Sequence, residues 1–186
     1  MKVSSAETLQ TLDMSQGKAN KKDEFIAAID EHKRMIYKIV NTYCQNREDR
    51  KDVEQEIIIQ LWNAFDTYNH EYTFSTWMYR IALNVAISFY RKEKKWAFRR
   101  DDYSEDSIPS IVDEEEDVAE MDRNIALLRK FIDDLNELNK ALMLLYLEER
   151  PYAEIADILG ITETNVGTKI NRLKRILQQE FQKEQL

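Results

Sequence analysis

The sequence predicts an all-α protein made of two small helical domains joined by an acidic linker. Three observations predict it. Gly and Pro number only 3 and 2 among 186 residues, while 33% of residues are charged. That composition favours helices and disfavours an all-β fold or Gly-rich phosphate loops. Apolar residues recur three and four positions apart over most of the chain, the spacing of one helix face. The net charge of −8 is confined to one stretch. Residues 101–122 carry eleven acidic and no basic groups, whereas residues 22–100 carry fourteen basic and twelve acidic ones. Whole-chain charge is therefore a poor guide to partners.

In chain order, Met1 to Lys22 is polar and without apolar periodicity, and is expected to be a flexible tail. Asp23 to Gln45 places Phe25, Ile29, Ile36, Ile39, Val40 and Tyr43 on one helix face. After a polar break at Asn46 to Asp49, the stretch RKDVEQEIIIQLWNAFD carries a stripe of Val53, Ile57, Leu61, Ala64 and Phe65. Ile58, Ile59 and Trp62 widen its apolar surface beyond one core contact. Such a helix is either buried on all sides of a bundle or meets a partner. Asp52, Gln55, Glu56 and Gln60 give it a polar edge.

Tyr72 to Lys95 is the stretch that carries the most chemistry. Thr73 or Ser75 can cap a helix starting near Trp77. Trp77, Ile81, Val85 and Phe89 share a face, and the segment ends in Arg91, Lys92, Lys94 and Lys95. Aromatics that stack on unpaired bases, followed by cations for phosphates, suit a single-strand binder. An aromatic stripe at helical spacing also suits a core, and the residues alone leave both readings open.

Asp101 to Asp122 has too few apolar residues to offset its charge. It is expected to be a spacer, or a polyanion that mimics a nucleic-acid strand. Extended, it would reach about 75 Å. Arg123 to Leu147 reads as one or two helices with an apolar stripe from Leu127 to Tyr146. In RPYAEIADILGITETNVGTKINRLKRIL, Pro151 suits a helix start. Ile155, Ala156 and Leu159 form an inner face. Gly160 can stop the helix in the left-handed conformation, and Thr162 can cap the next. Val166, Ile170, Leu173 and Leu177 line the inside of that last helix. Its other face carries Thr164, Asn165, Thr168, Lys169, Asn171, Arg172, Lys174 and Arg175. Two short helices, a Gly turn and a basic outer face make a helix-turn-helix, whose second helix enters the major groove. A plain helical hairpin is the alternative.

With DVEQEIIIQLW at Asp52 to Trp62, FSTWMYRIALN at Phe74 to Asn84, YAEIADILGIT at Tyr152 to Thr162 and VGTKINRLKR at Val166 to Arg175, the sequence resembles a bacterial sigma-70-family RNA polymerase sigma factor of the extracytoplasmic-function group. The resemblance covers about Phe25 to Lys95 and Leu135 to Phe181. It implies a tail at 1–22, a sigma-2-like helical bundle at 23–100, the linker at 101–122 and a sigma-4-like helix-turn-helix domain at 123–186. Implied partners are core RNA polymerase (the β′ clamp helices and the β flap) and promoter DNA. An anti-sigma factor is a further candidate, because the group is often held inactive by one.

By this resemblance Asp52, Gln55, Glu56, Ile59, Gln60 and Trp62 grip the polymerase. Tyr72, Thr73, Phe74, Trp77, Asn84 and Ser88 take the melted −10 element, with Arg91 and Lys92 on its phosphates. Thr164, Asn165, Thr168, Asn171 and Arg172 face the −35 element, where Lys169, Lys174 and Arg175 suit phosphates. Gly167 stands where the family commonly has a basic residue.

No nucleophile, base and orienter set appears, so no enzymatic activity is expected. Cys44 is alone and only His32 and His70 accompany it, so neither a disulfide, a metal site nor a cofactor is expected. The absence of a signal peptide or an apolar run of about 20 residues leads to the expectation of a cytoplasmic protein with no membrane insertion. The implied function is to bind core polymerase, direct it to promoters and capture melted −10 DNA. The alternatives are a stand-alone helix-turn-helix regulator of duplex DNA, or a module that sequesters another factor.

Overall fold

A computed structural model of the chain describes residues 5–101 and 123–184, with side chains over 21–96 and 124–183. Among the described residues there are seven α-helices, one 3-10 turn and no strand. The first unit contains α1 (Ser5–Tyr43), α2 (Arg47–Ala64) and α3 (Phe74–Asp101). The second contains α4 (Arg123–Asp133), α5 (Glu137–Leu147), α6 (Tyr152–Leu159) and α7 (Glu163–Glu184).

 The short helix α6 spans Tyr152–Leu159, and its C-terminus turns directly into α7.

Helix boundaries follow local chemistry. Asn46 caps α2, its side-chain oxygen accepting from the Asp49 amide at 2.8 Å. Thr73 caps α3 in the same way, through the Thr76 amide at 3.2 Å, so α3 starts at Phe74 rather than near Trp77. Asn136 accepts from the Asn139 amide at 3.0 Å and separates α4 from α5, which resolves the expected one or two helices into two. Gly160 has φ 66, the left-handed stop that the sequence predicts, and Thr162 caps α7 through the Asn165 amide at 3.2 Å.

One expectation needs correction. Residues 5–22 belong to α1 rather than to an irregular tail. Half of the stretch is Ala, Leu, Gln and Lys, which favour a helix without needing an apolar face. The acidic linker beyond Asp101 lies outside the described residues, as do residues 1–4.

In the first unit Ile36, Ile39 and Val40 of α1 meet Val53, Ile57 and Leu61 of α2, and all six are buried. The face that α3 buries is Met78, Tyr79, Ala82, Leu83 and Ala86. The stripe read from the sequence, Trp77, Ile81, Val85 and Phe89, is only partly buried. The physical reason is that α3 is covered from two directions, so its innermost line lies between the two contacts. In the second unit Leu142, Leu145, Ile155, Val166, Ile170 and Leu173 form the core.

The two units also touch. Helices α5 and α6, with the turn between them, lie against α1 and α3. The Tyr43 hydroxyl donates to the Glu137 carbonyl at 2.6 Å. Burial, reinforced by the charge of Glu137, pushes the Tyr43 hydroxyl above its ordinary range. Lys140 is 3% exposed, with its ammonium 4.9 Å from the Tyr90 ring centre and 4.0 Å from Asp133.

Candidate nucleic-acid interface

Helices α2 and α3 enclose an open groove of about 640 Å³. Its α2 wall is Asp52, Val53, Glu56 and Gln60, and its α3 wall runs from Ile81 to Lys92 through Asn84, Val85, Ser88 and Phe89. Ile81, Val85 and Phe89 of the partly buried stripe form the groove's apolar floor, while Trp77 lies outside it. Sequence periodicity locates that stripe; that it faces a groove follows from the packing of α3 against α2. The groove thus brings together three residues assigned to the polymerase and three assigned to melted DNA.

On α2, Asp52, Gln55, Glu56 and Gln60 are exposed, and Gln60 donates to Glu56 at 2.7 Å. Ile59 is 51% and Trp62 37% exposed. One side of Trp62 is already occupied: the Phe25 ring lies 5.0 Å away, and the Lys21 ammonium stands 4.7 Å from the indole centre. Lys21 also reaches Asp66 at 2.5 Å. The indole is therefore fixed in orientation while part of it faces solvent.

The loop before α3 is organised by aromatic rings. Tyr68 lies 5.3 Å from both Phe74 and Trp77, and Phe74 and Trp77 are 5.2 Å apart. The Tyr68 hydroxyl donates to the Tyr72 carbonyl at 2.8 Å. The Tyr72 ring carries the Arg80 guanidinium at 5.0 Å, a cation–π contact that positions it. His70 takes a positive φ of 59 and turns the chain sharply. Of the residues expected at melted DNA, Phe74 and Trp77 sit within the ring cluster and Tyr72 is half-buried. Thr73, Asn84, Ser88, Arg91 and Lys92 are exposed. Tyr68 and Arg80 were missed by sequence reasoning. Tyr68 lies in a short loop without periodicity, and no spacing rule pairs Arg80 with Tyr72.

Helix α7 presents the second face. Thr164, Asn165, Thr168, Asn171, Arg172, Lys174 and Arg175 are exposed, and Lys169 is half-buried. The Thr168 hydroxyl bonds back to the Thr164 carbonyl at 2.9 Å. Lys174 leans toward α5, with its ammonium 5.5 Å from the Tyr146 ring centre. A Cβ added at Gly167 would meet the Tyr152 ring at 3.6 Å, an ordinary contact. The remaining polar groups project from one rigid helix set by the Gly160 turn.

Two family models match, in chain order: sigma-70 region 2 over residues 28–96 and sigma-70 region 4 over residues 125–177. The chain belongs to the sigma-70 family, in its extracytoplasmic-function group. It is therefore a sigma factor, which directs RNA polymerase to promoters. Sigma factors are not enzymes. The chain is similar to RNA polymerase sigma factor SigV of Bacillus subtilis, at 27% identity over 87% of this chain and 93% of the relative. It is also similar to the extracytoplasmic-function sigma factor SigW of the same organism, at 25% identity over 90% of this chain and 94% of the relative. Two solved structures share the fold. One is the sigma factor RpoE in complex with the anti-sigma factor NepR from Bartonella quintana (TM-score 0.66, 16% identity, covering 86% of this sigma factor and 97% of that chain). The other is CnrH in complex with the cytosolic domain of CnrY (TM-score 0.61, 17% identity, covering 90% and 94%). Among the described residues no helix of the sigma factor is long and apolar enough to cross a membrane.

Proposed function

We propose that the sigma factor divides its work between the two units, with 23–100 as the polymerase and −10 domain and 123–186 as the −35 domain. On α2, Asp52, Gln55, Glu56, Ile59, Gln60 and Trp62 hold the β′ clamp helices. Tyr72, Thr73, Phe74, Trp77, Asn84 and Ser88 receive the melted −10 strand, and Arg91 and Lys92 hold its phosphates. Extruding a base costs a few kcal/mol, which stacking and a fitted pocket offset. On α7, Thr164, Asn165, Thr168, Asn171 and Arg172 read −35 base edges. Asn171 matches adenine and Arg172 guanine in bidentate geometry, while Lys169, Lys174 and Arg175 position the duplex through phosphates. The second unit also meets the β flap. The protein works in the cytoplasm, needs no cofactor and performs no catalysis of its own. One structural neighbour is described in complex with the anti-sigma factor NepR and the other with the cytosolic domain of CnrY, which supports an anti-sigma factor as a partner here.

The observation that carries this reading is the exposed apolar pair Ile59 and Trp62 beside a polar edge on α2. A stand-alone regulator of duplex DNA has no use for that surface. The test is capture of core polymerase by the purified chain, followed by run-off transcription from the region upstream of its own gene. Ile59→Ala with Trp62→Ala is expected to lose capture and transcription together while helicity is unchanged. Undiminished capture by that double variant would overturn the assignment of α2. Promoter binding that needs no polymerase would favour the regulator.

A further inference from the structure

We propose that Lys21 of α1 is a positioning residue for core polymerase: it holds the Trp62 indole in its docking orientation, and Asp66 keeps the ammonium in place. The inference rests on the assignment of Trp62 to the polymerase made above.

The three groups come from three elements. Lys21 lies on α1, Trp62 on α2 and Asp66 in the 3-10 turn Phe65–Thr67 that follows α2. The Lys21 ammonium stands 4.7 Å from the indole centre and 2.5 Å from the Asp66 carboxylate. One turn further along α1, the buried Phe25 ring meets the same indole edge to face, with the planes 70° apart. Phe25 also lies 5.3 Å from Phe65, so the ring that backs Trp62 is itself held. Lys21 and Phe25 are four residues apart and share a face of α1. They reach Trp62 because α1 is already helical before Asp23. The region 2 match begins at residue 28, so both side chains lie outside it.

The arrangement suits orientation more than stability. The face of an indole attracts an ammonium through the ring quadrupole. Asp66 is 70% exposed, and an ion pair that wet adds little to folding by itself. What the cation and the Phe25 edge do together is restrict the rotation of a large surface side chain while leaving part of it bare. A tryptophan free to turn must be ordered when a partner docks, and that ordering lowers affinity. A tryptophan fixed beforehand has already lost the freedom. Lys21 thus acts on docking through Trp62 rather than by touching the partner.

The test is a double-mutant cycle in the full chain, read as affinity for core polymerase. Lys21→Met keeps the length and apolar stem of the side chain but loses its charge. It is expected to weaken binding about three- to tenfold, the effect of leaving one large side chain to be ordered on docking. In a Trp62→Ala background the same change should matter by less than about twofold, because the group through which Lys21 acts is gone. Lys21→Arg keeps a cation for the ring and a donor for Asp66, and should restore the parent affinity. Asp66→Asn should weaken binding by a smaller factor, and it replaces Lys21→Met in the cycle if that variant folds poorly. The Trp62 indole N–H resonance, identified by its absence in Trp62→Phe, reports the ring directly. It should move in Lys21→Met and Asp66→Asn and return in Lys21→Arg.

Equal losses from Lys21→Met with and without Trp62 would show that Lys21 meets the polymerase itself, and would overturn the positioning role. A loss with Trp62→Ala but none with Lys21→Met or Asp66→Asn would overturn this inference and leave the assignment of α2 standing. Undiminished binding by Trp62→Ala would remove Trp62 from the polymerase face, and Lys21 with it.

Discussion

Helices α3 and α7 both carry residues proposed to meet DNA, yet they are held differently. Helix α7 is packed on one side only, and its polar face is open to solvent. Helix α3 is packed from two sides, by α1 and α2 within its own unit and by α5 and α6 from the other. The difference teaches that a reading helix is ready for use only as far as its neighbours leave it bare. One unit presents its proposed DNA face bare, while part of the other's proposed face is covered by its own chain.

The largest test of that comparison is stability. Ile170 of α7 is fully buried, and Ile170→Ala should cost about 2–5 kcal/mol. All three tryptophans, Trp62, Trp77 and Trp96, belong to the first unit, so their fluorescence reports on it alone. In urea, the helical signal of the variant should show a transition moved to lower concentration. The tryptophan transition should move less, to the degree that the contact between the units, which carries apolar as well as polar groups, passes the change on. Equal shifts by both probes would mean that the units are one cooperative body, and the contrast between α3 and α7 would lose its meaning.

A second test addresses the open face. Arg172→Ala removes the proposed bidentate base contact, and should weaken binding of a −35 duplex by about 1–3 kcal/mol. It should leave bubble binding by the polymerase complex at the −10 element unchanged. A loss of equal size on unrelated duplexes would reassign Arg172 to phosphates.

The two glycines of the second unit offer a smaller, signed comparison. Gly160→Ala has open space around the new Cβ but must keep φ 66, a conformation that costs a non-Gly residue roughly 1–2 kcal/mol. Gly167→Ala lies within a helix at ordinary contact distance from Tyr152 and should gain up to about 1 kcal/mol from helix propensity. Thermal unfolding of both variants checks the opposite signs. A stabilised Gly160→Ala would mean that the turn does not need its left-handed residue.

The second unit was the more legible of the two. In α6 and α7 the turn glycine, the Thr162 cap and the apolar stripe all point to one geometry, and each is local in sequence. The inner face differs in one detail: Ile158 is buried and Leu159 partly so. The α3 stripe was legible as a face but not as the floor of a groove, because its true inner line is set by two neighbours at once. Glu137, Glu148 and Glu154 were invisible as partners of α3. Arg91 donates to Glu137, the Tyr79 hydroxyl to Glu148 and the Thr76 hydroxyl to Glu154 from 46 to 78 residues away, and Lys38 pairs with Glu148 from farther still, beyond any periodicity. The N-terminal helix was missed because a helix without an apolar stripe resembles a polar tail.

The finest test is one of pH, and it again separates α3 from α7. Backbone hydrogen bonding, then the bond from Arg91, holds the Glu137 carboxyl below its ordinary value of 4.5. A carboxyl lowered in this way favours the packed arrangement of the two units while it is ionised. Its contribution is complete above the ordinary value and is lost as the pH falls through the lowered one. The radius of gyration should therefore rise as the pH is taken from 6 to about 3, with a smaller rise in Glu137→Gln than in the parent. The effect should be modest, because Arg91 is 66% exposed and water screens the pair. An identical acid response in parent and variant would remove Glu137 from the contact that distinguishes α3, and leave its coverage to packing alone.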